Sequence, residues 1–106
     1  MDLKELQKLT VEFRDKRNWR QFHTGSNLAK SISIEAAEIL ELFQWNDDVE
    51  VAKLSEELSD VLSYLMLLAD VYDIDLEKAY LEKIKKNNDK YPVNKSYGVS
   101  TKYNKL

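Results

Sequence analysis

Apolar residues recur along this chain at steps of three and four, the period of a helix rather than the alternation of a strand. The pattern predicts four helical segments with short joints. The first runs from about Leu3 to Arg17, with Leu3, Leu6, Leu9 or Thr10, and Phe13 on one stripe. Asp2 stands where it can cap this helix, and Glu5 follows at capping-box spacing. A joint from Asn18 to Gly25 carries Trp19, Phe22 and His23. The second helix, about Asn27 to Phe43 with Ser26 as cap, aligns Leu28, Ile32, Ile39, Leu42 and Phe43.

The third helix, about Val49 to Tyr72, has Asp47 and Glu50 at capping-box spacing before its stripe of Val51, Leu54, Leu58, Val61, Leu62, Leu65 and Ala69. Leu67, Leu68 and Val71 add apolar residues on its other faces. A helix that is apolar nearly all round is buried all round, so its second half predicts a subunit interface as well as a core. The fourth helix, about Leu76 to Asn88, is capped by Asp75. Pro92 blocks continuation, and Val93 to Leu106 reads as polar and irregular.

The expected fold is therefore all-α, a four-helix bundle-type subunit forming a single domain over residues 1–106. Composition narrows the picture further. Two Gly and one Pro in 106 residues are too few for the turns of a sandwich or barrel. No Cys excludes disulfides, thiolate metal sites and a Cys nucleophile, and one His excludes a multi-His metal centre. The formal net charge of −3 gives no reason to expect nucleic acid as a partner. Met1 to Lys8 alternates charge and Leu with no apolar h-region, and the longest apolar stretch, Val61 to Ala69, is far short of a membrane span. A cytoplasmic protein is expected.

Carboxylates then stand out. Glu35 stands in sequence between Ile32 and Ile39 and, at 100° per residue, falls within the second helix's apolar stripe. Glu38 sits at the stripe's edge, and Glu41 lies further toward solvent. On the third helix Glu57 and Asp60 are three apart and share a face with Tyr64. Nineteen acidic residues make such pairs by chance, most of them solvated, and the placement of Glu35 is what resists that explanation. Two antiparallel helices joined at Asn46 to Asp48 would bring the pairs together. Each like-charged pair 4 Å apart costs ~4 kcal/mol at an effective dielectric of 20, so some carboxylates take up protons or a cation sits among them. An all-oxygen ligand set points to a hard cation, Mg²⁺ or else Mn²⁺, and hence to phosphoryl chemistry.

With two Gly there is no glycine-rich phosphate loop. Lys83 and Asn87 at i, i+4, with Lys90 a turn further, could hold phosphates, though Lys near a helix C-terminus also favours the helix dipole. Trp19, Phe22, Trp45 and Tyr64 could stack on a base, or equally fill a core corner or an interface.

Glu35-Ala-Ala-Glu38 followed by Glu57-Leu-Ser-Asp60 resembles the ExxE…ExxD signature of the all-α MazG-like nucleotide pyrophosphohydrolases. Asn18-Trp19-Arg20-Gln21-Phe22-His23, Glu41-Leu42-Phe43-Gln44-Trp45, Lys90-Tyr91-Pro92-Val93 and Lys102-Tyr103 resemble segments of the dCTP pyrophosphatase branch, so that the likeness runs through nearly the whole chain. The resemblance implies that Glu35, Glu38, Glu57 and Asp60 are catalytic and coordinate Mg²⁺. It implies that Trp19, Arg20, Gln21, Phe22, His23, Trp45 and Tyr64 line a nucleoside pocket, with Lys83, Asn87 and Lys90 on the triphosphate. The implied reaction is house-cleaning cleavage of dCTP or a modified pyrimidine nucleotide to the monophosphate and pyrophosphate, by a homodimer or homotetramer. Three features depart from the branch: Thr10 stands where relatives often carry His, Ile34 where they often carry Gly, and the Asn46 to Asp48 joint is shorter. Alternatives are dUTPase-like or phosphoribosyl-ATP pyrophosphohydrolase activity on the same scaffold, or a non-catalytic helical dimerisation module.

Overall fold

A computed structural model describes residues 1–106. It is all-helical: α1 (Leu3–Lys16), α2 (Gly25–Leu42), α3 (Val51–Val71), α4 (Leu76–Lys90) and the short α5 (Val93–Ser96), with 3₁₀ turns at Arg20–Phe22 and Tyr103–Lys105. The chain divides into two compact units, Met1–Ile74 and Asp75–Leu106. No helix is long and apolar enough to cross a membrane.

In the first unit α3 is the central helix. α2 packs along it and α1 packs against it from another side. Leu28 of α2 and Met66, Leu67 and Ala69 of α3 form the buried apolar centre. Two long-range polar links tie α1 to α3. Gln7 Nε2 donates to the Met66 carbonyl at 2.9 Å, and Arg14 Nη1 donates to Asp70 Oδ2 at 2.8 Å. Arg14 is 5% exposed and is the one buried charged side chain.

Helix starts follow the local chemistry, with two corrections to the expectation. Asp2 accepts from the Glu5 amide and Asp75 from the Lys78 amide, as the spacing predicts. The second helix begins earlier than expected, at Gly25, and its cap is Thr24 rather than Ser26. Thr24 has extended backbone, its hydroxyl accepts from the Asn27 amide at 3.1 Å, and its carbonyl accepts from Leu28 at 3.0 Å. A side chain at Gly25 would run into the Tyr72 hydroxyl, so glycine suits the helix's first turn. The third helix begins at Val51, and the Asp47–Glu50 capping box does not form. Asn46 Oδ1 instead accepts from the Asp48 amide at 2.7 Å, an Asx turn that keeps this stretch out of the helix; Glu50 occupies the cap position without a side-chain bond.

The expectation that α3 is covered all round also needs correcting within this chain. Leu58, Leu62 and Leu65 are exposed, because α1 and α2 occupy only part of its circumference.

In the second unit α4 continues to Lys90, two residues past the expected end, and the following segment is not irregular throughout. α5 forms after Pro92, and the rings of Tyr91 and Tyr103 meet edge to face at 6.0 Å. Lys90 Nζ lies 4.8 Å from the Tyr103 ring centroid. An aromatic contact and a cation over its ring thus fold the tail back on the end of α4.

The capping geometry gives a direct test. Thr24→Ala removes a cap bond and costs about 1 kcal/mol, lowering the melting midpoint by roughly 4–8 °C for a chain of this size. Ser26→Ala leaves the midpoint within about 2 °C. Equal losses from the two variants in thermal melts would contradict the assignment of the cap.

Candidate active site

The acidic residues of α2 and α3 face one another. One carboxylate oxygen from each of Glu35, Glu57 and Asp60 lies within 4.8 Å of the others. Glu38 stands near enough to both Glu35 and Glu57 to raise their pKa values. Glu35, Glu38 and Glu57 are half-buried, whereas Asp60 is exposed. Glu41, one further step along α2, is solvent-exposed and outside the cluster.

Electrostatics shows the cost of this arrangement. Burial, and then hydrogen bonds to Glu35 and Glu38 and their charges, push the Glu57 carboxyl up to about 7. Burial also raises Glu35. The proton held on Glu57 and donated to Glu35 works in the opposite direction, while Glu38 and the charge of Asp60 add to the rise. Glu35 Oε2 and Glu57 Oε2 are both buried without a hydrogen-bond partner. Oxygen atoms in that condition are uncommon in native structures and mark a place that a ligand can complete. Closely spaced, hard, anionic oxygens are the donor set of a divalent Mg²⁺-type ion, so the residues present fit such a group.

Beside the cluster lies a cavity of about 420 Å³, within the usual range for small-molecule sites. Leu9, Phe13, Trp19 and Leu67 supply apolar and aromatic walls. Thr10, Arg14, His23, Asp60, Ser63 and Tyr64 supply the polar groups. Asp60 therefore belongs to both the acidic cluster and the cavity.

The wall between α1 and α2 is stiff for identifiable reasons. Asn18 takes a left-handed backbone (φ 54°), which Asn tolerates better than most residues and which turns the chain at the end of α1. The Trp19 amide then donates back to the Arg14 carbonyl at 3.1 Å, and the Phe22 amide donates to the Trp19 carbonyl at 2.9 Å. Phe13 and Trp19 meet edge to face at 5.8 Å, and the Arg17 guanidinium stacks 3.6 Å over the Phe13 ring. His23 Nδ1 is buried without a partner. Burial, then the positive charges of Arg14 and Arg20, holds the imidazole below its ordinary pKa and keeps it neutral at pH 7.

The structure brings together some of the residues singled out in the sequence. Trp19, His23, Asp60 and Tyr64 line the cavity, and Glu35, Glu38 and Glu57 gather beside Asp60. Arg20, Gln21 and Phe22 form the 3₁₀ turn and do not line it; Gln21 Nε2 is spent on the Asn18 carbonyl. Trp45, beyond the end of α2, is 86% exposed and is not part of the cavity wall. Lys83, Asn87 and Lys90 lie on α4, in the second unit. Arg14, Ser63 and Leu67 line the cavity without having been singled out as site residues. For Arg14 the sequence held one signal, its position one turn beyond Thr10 on the same face.

Comparison with known proteins identifies the family. The MazG-like family profile matches residues 30–106, which include the whole acidic cluster. The chain belongs to the MazG-like family. The rat and human proteins named dCTP pyrophosphatase 1 are each 40% identical to this MazG-like chain over 98% of its length, which spans about two thirds (67%) of theirs. A crystal structure of a pyrophosphatase from Archaeoglobus fulgidus superimposes with a TM-score of 0.77 at 44% identity, covering 84% of this chain and 91% of that one. This MazG-like chain is accordingly an enzyme of the pyrophosphatase group.

Crowded carboxylates predict a stability signature. In a chelating buffer at pH 8, Glu57→Gln removes a like charge from the cluster and raises the thermal midpoint. Glu41→Gln, on the exposed face of α2, leaves it unchanged. An unchanged or lower midpoint for Glu57→Gln would show that the cluster stores no such repulsion.

Proposed function

We propose that this enzyme, a nucleoside triphosphate pyrophosphohydrolase, takes dCTP or a modified pyrimidine nucleotide and cleaves it between the α and β phosphates, with Mg²⁺ held by Glu35, Glu38, Glu57 and Asp60. The observation that carries the reading is the double membership of Asp60. One side chain belongs both to an acidic cluster suited to a hard cation and to a cavity with aromatic walls suited to a base. The mammalian relatives' name supports the choice of dCTP.

The cavity residues bind and orient. Trp19 and Tyr64 contribute flat faces for a base, and the neutral His23 contributes a hydrogen-bonding nitrogen. Trp45, Arg20, Gln21 and Phe22 are assigned to the nucleoside through the family likeness alone. Lys83, Asn87 and Lys90 are proposed for the triphosphate, in keeping with eight Lys against four Asp and Glu in residues 75–106. When bound, a divalent ion polarises the phosphate oxygens and acidifies the attacking water. Glu38 or Glu35 would orient that water. We assign a second copy of the chain to the exposed Leu58, Leu62 and Leu65 of α3, giving a homodimer or homotetramer. A monomer in sedimentation at micromolar concentration would remove that part of the proposal.

The decisive assay incubates a nucleoside triphosphate panel with Mg²⁺ and separates pyrophosphate from orthophosphate. The expected result is monophosphate plus pyrophosphate, with dCTP or its 5-modified forms leading. Activity is lost with chelator and falls at least about 100-fold in Glu38→Gln. Orthophosphate as product, or full activity in Glu38→Gln, would overturn the reading.

A further inference from the structure

Arg14 is the one charged side chain this fold buries, and ion pairing accounts for only part of its guanidinium. Nε donates to Asp15 Oδ1 and Nη1 to Asp70 Oδ2, each at 2.8 Å. These two bonds use two of the five N–H donors of the guanidinium, and Arg14 lines the cavity together with Thr10, His23 and Tyr64. N–H donors that two bonds do not use are open to an acceptor bound in the cavity. The Thr10 hydroxyl donates to the Leu6 carbonyl, and His23 Nδ1 makes no hydrogen bond.

We propose that Arg14 is a specificity-determining residue that selects cytosine over uracil by donating to the base's O2 and N3 edge. The proposal rests on the pyrophosphohydrolase reading above. Its chemistry is a matter of donors and acceptors. Arginine offers donors only. Cytosine presents two adjacent acceptors, O2 and the unprotonated N3. Uracil and thymine carry a hydrogen on N3, so a donor would face a donor at that atom.

The position is also pre-organised. Asp15 and Asp70 hold two edges of the guanidinium plane, and the backbone carbonyl of the same residue accepts from Trp19, whose ring forms part of the cavity wall. One residue thus fixes its own donors and an aromatic wall together, and fixed donors discriminate better than mobile ones.

The test compares kcat/KM for dCTP and dUTP, with Mg²⁺, in the wild type, Arg14→Met and Asp70→Asn, with thermal melts to confirm folding. The wild type is expected to favour dCTP, and Arg14→Met to lower the dCTP:dUTP ratio at least about tenfold, through KM more than kcat. Asp70→Asn loosens the clamp but keeps the donors; it is expected to lower the melting midpoint and to lower the ratio, by less than Arg14→Met does. If Arg14→Met alone does not fold, Arg14→Met/Asp70→Leu replaces the pair by apolar side chains and carries the same comparison. Proportional loss for both nucleotides, an unchanged ratio or a wild-type preference for dUTP would reduce Arg14 to a structural clamp and overturn the proposal alone. A folded wild type that hydrolyses neither nucleotide would overturn the pyrophosphohydrolase reading, and this proposal with it.

Discussion

Two helices that must pack through an apolar stripe carry carboxylates in that stripe, and much of the first unit answers to this constraint. Glu35 sits where the period of α2 calls for an apolar side chain, opposite Glu57 on α3. Burial and mutual repulsion oppose full ionisation, which is why Glu57 holds its proton up to about 7. The opposing contribution comes from elsewhere along the same helices. Leu28, Met66, Leu67 and Ala69 are buried, and each fully buried Leu or Met is worth about 1.5–3 kcal/mol of transfer free energy. Local electrostatic strain is thus tolerated because the apolar contacts that hold α2 to α3 lie at other turns of these helices.

α1 answers to a different constraint. Arg14 reaches a partner on α3 across a short distance and also lines the cavity, so α1 is at once a packing element and a cavity wall. The left-handed Asn18 and the return of the Trp19 amide to the Arg14 carbonyl transmit that fixed position to the next segment. The polar link and the aromatic wall are therefore one mechanical unit.

Legibility from sequence followed the strength of each local signal. Four helices were visible because the 3.6-residue period is strong, and Glu35 was conspicuous because it breaks that period. The caps at Asp2 and Asp75 were visible because a single side chain decides each. The cap of α2 was misplaced by two residues because Thr24 and Ser26 are chemically equivalent candidates, and the choice turns on backbone conformation. The start of α3 was misread because Asn46 competes for the backbone in a way that spacing alone does not reveal. The folded tail was missed because its cause is a contact between Tyr91 and Tyr103 rather than a periodic pattern. Arg14 escaped notice as a site residue because an Arg on a helix reads as solvated until its partner on another helix is known.

The spacing on α3 also explains why the acidic cluster and the cavity occur together. Glu57, Asp60 and Tyr64 follow at i, i+3 and i+7, so they lie on one face with about 10 Å of rise from first to last. The charged end of that face meets Glu35 on α2, and its aromatic end enters the wall that α1 completes. A nucleotide has the matching polarity, a flat base at one end and an anionic chain at the other. Because a single helix carries both halves, no hinge or loop length sets the distance between them. Rotating α3 by one residue, 100°, would turn the carboxylates and the tyrosine away together. The hydrophobic stripe that fixes the rotation of α3 is therefore also what fixes the geometry of the candidate site.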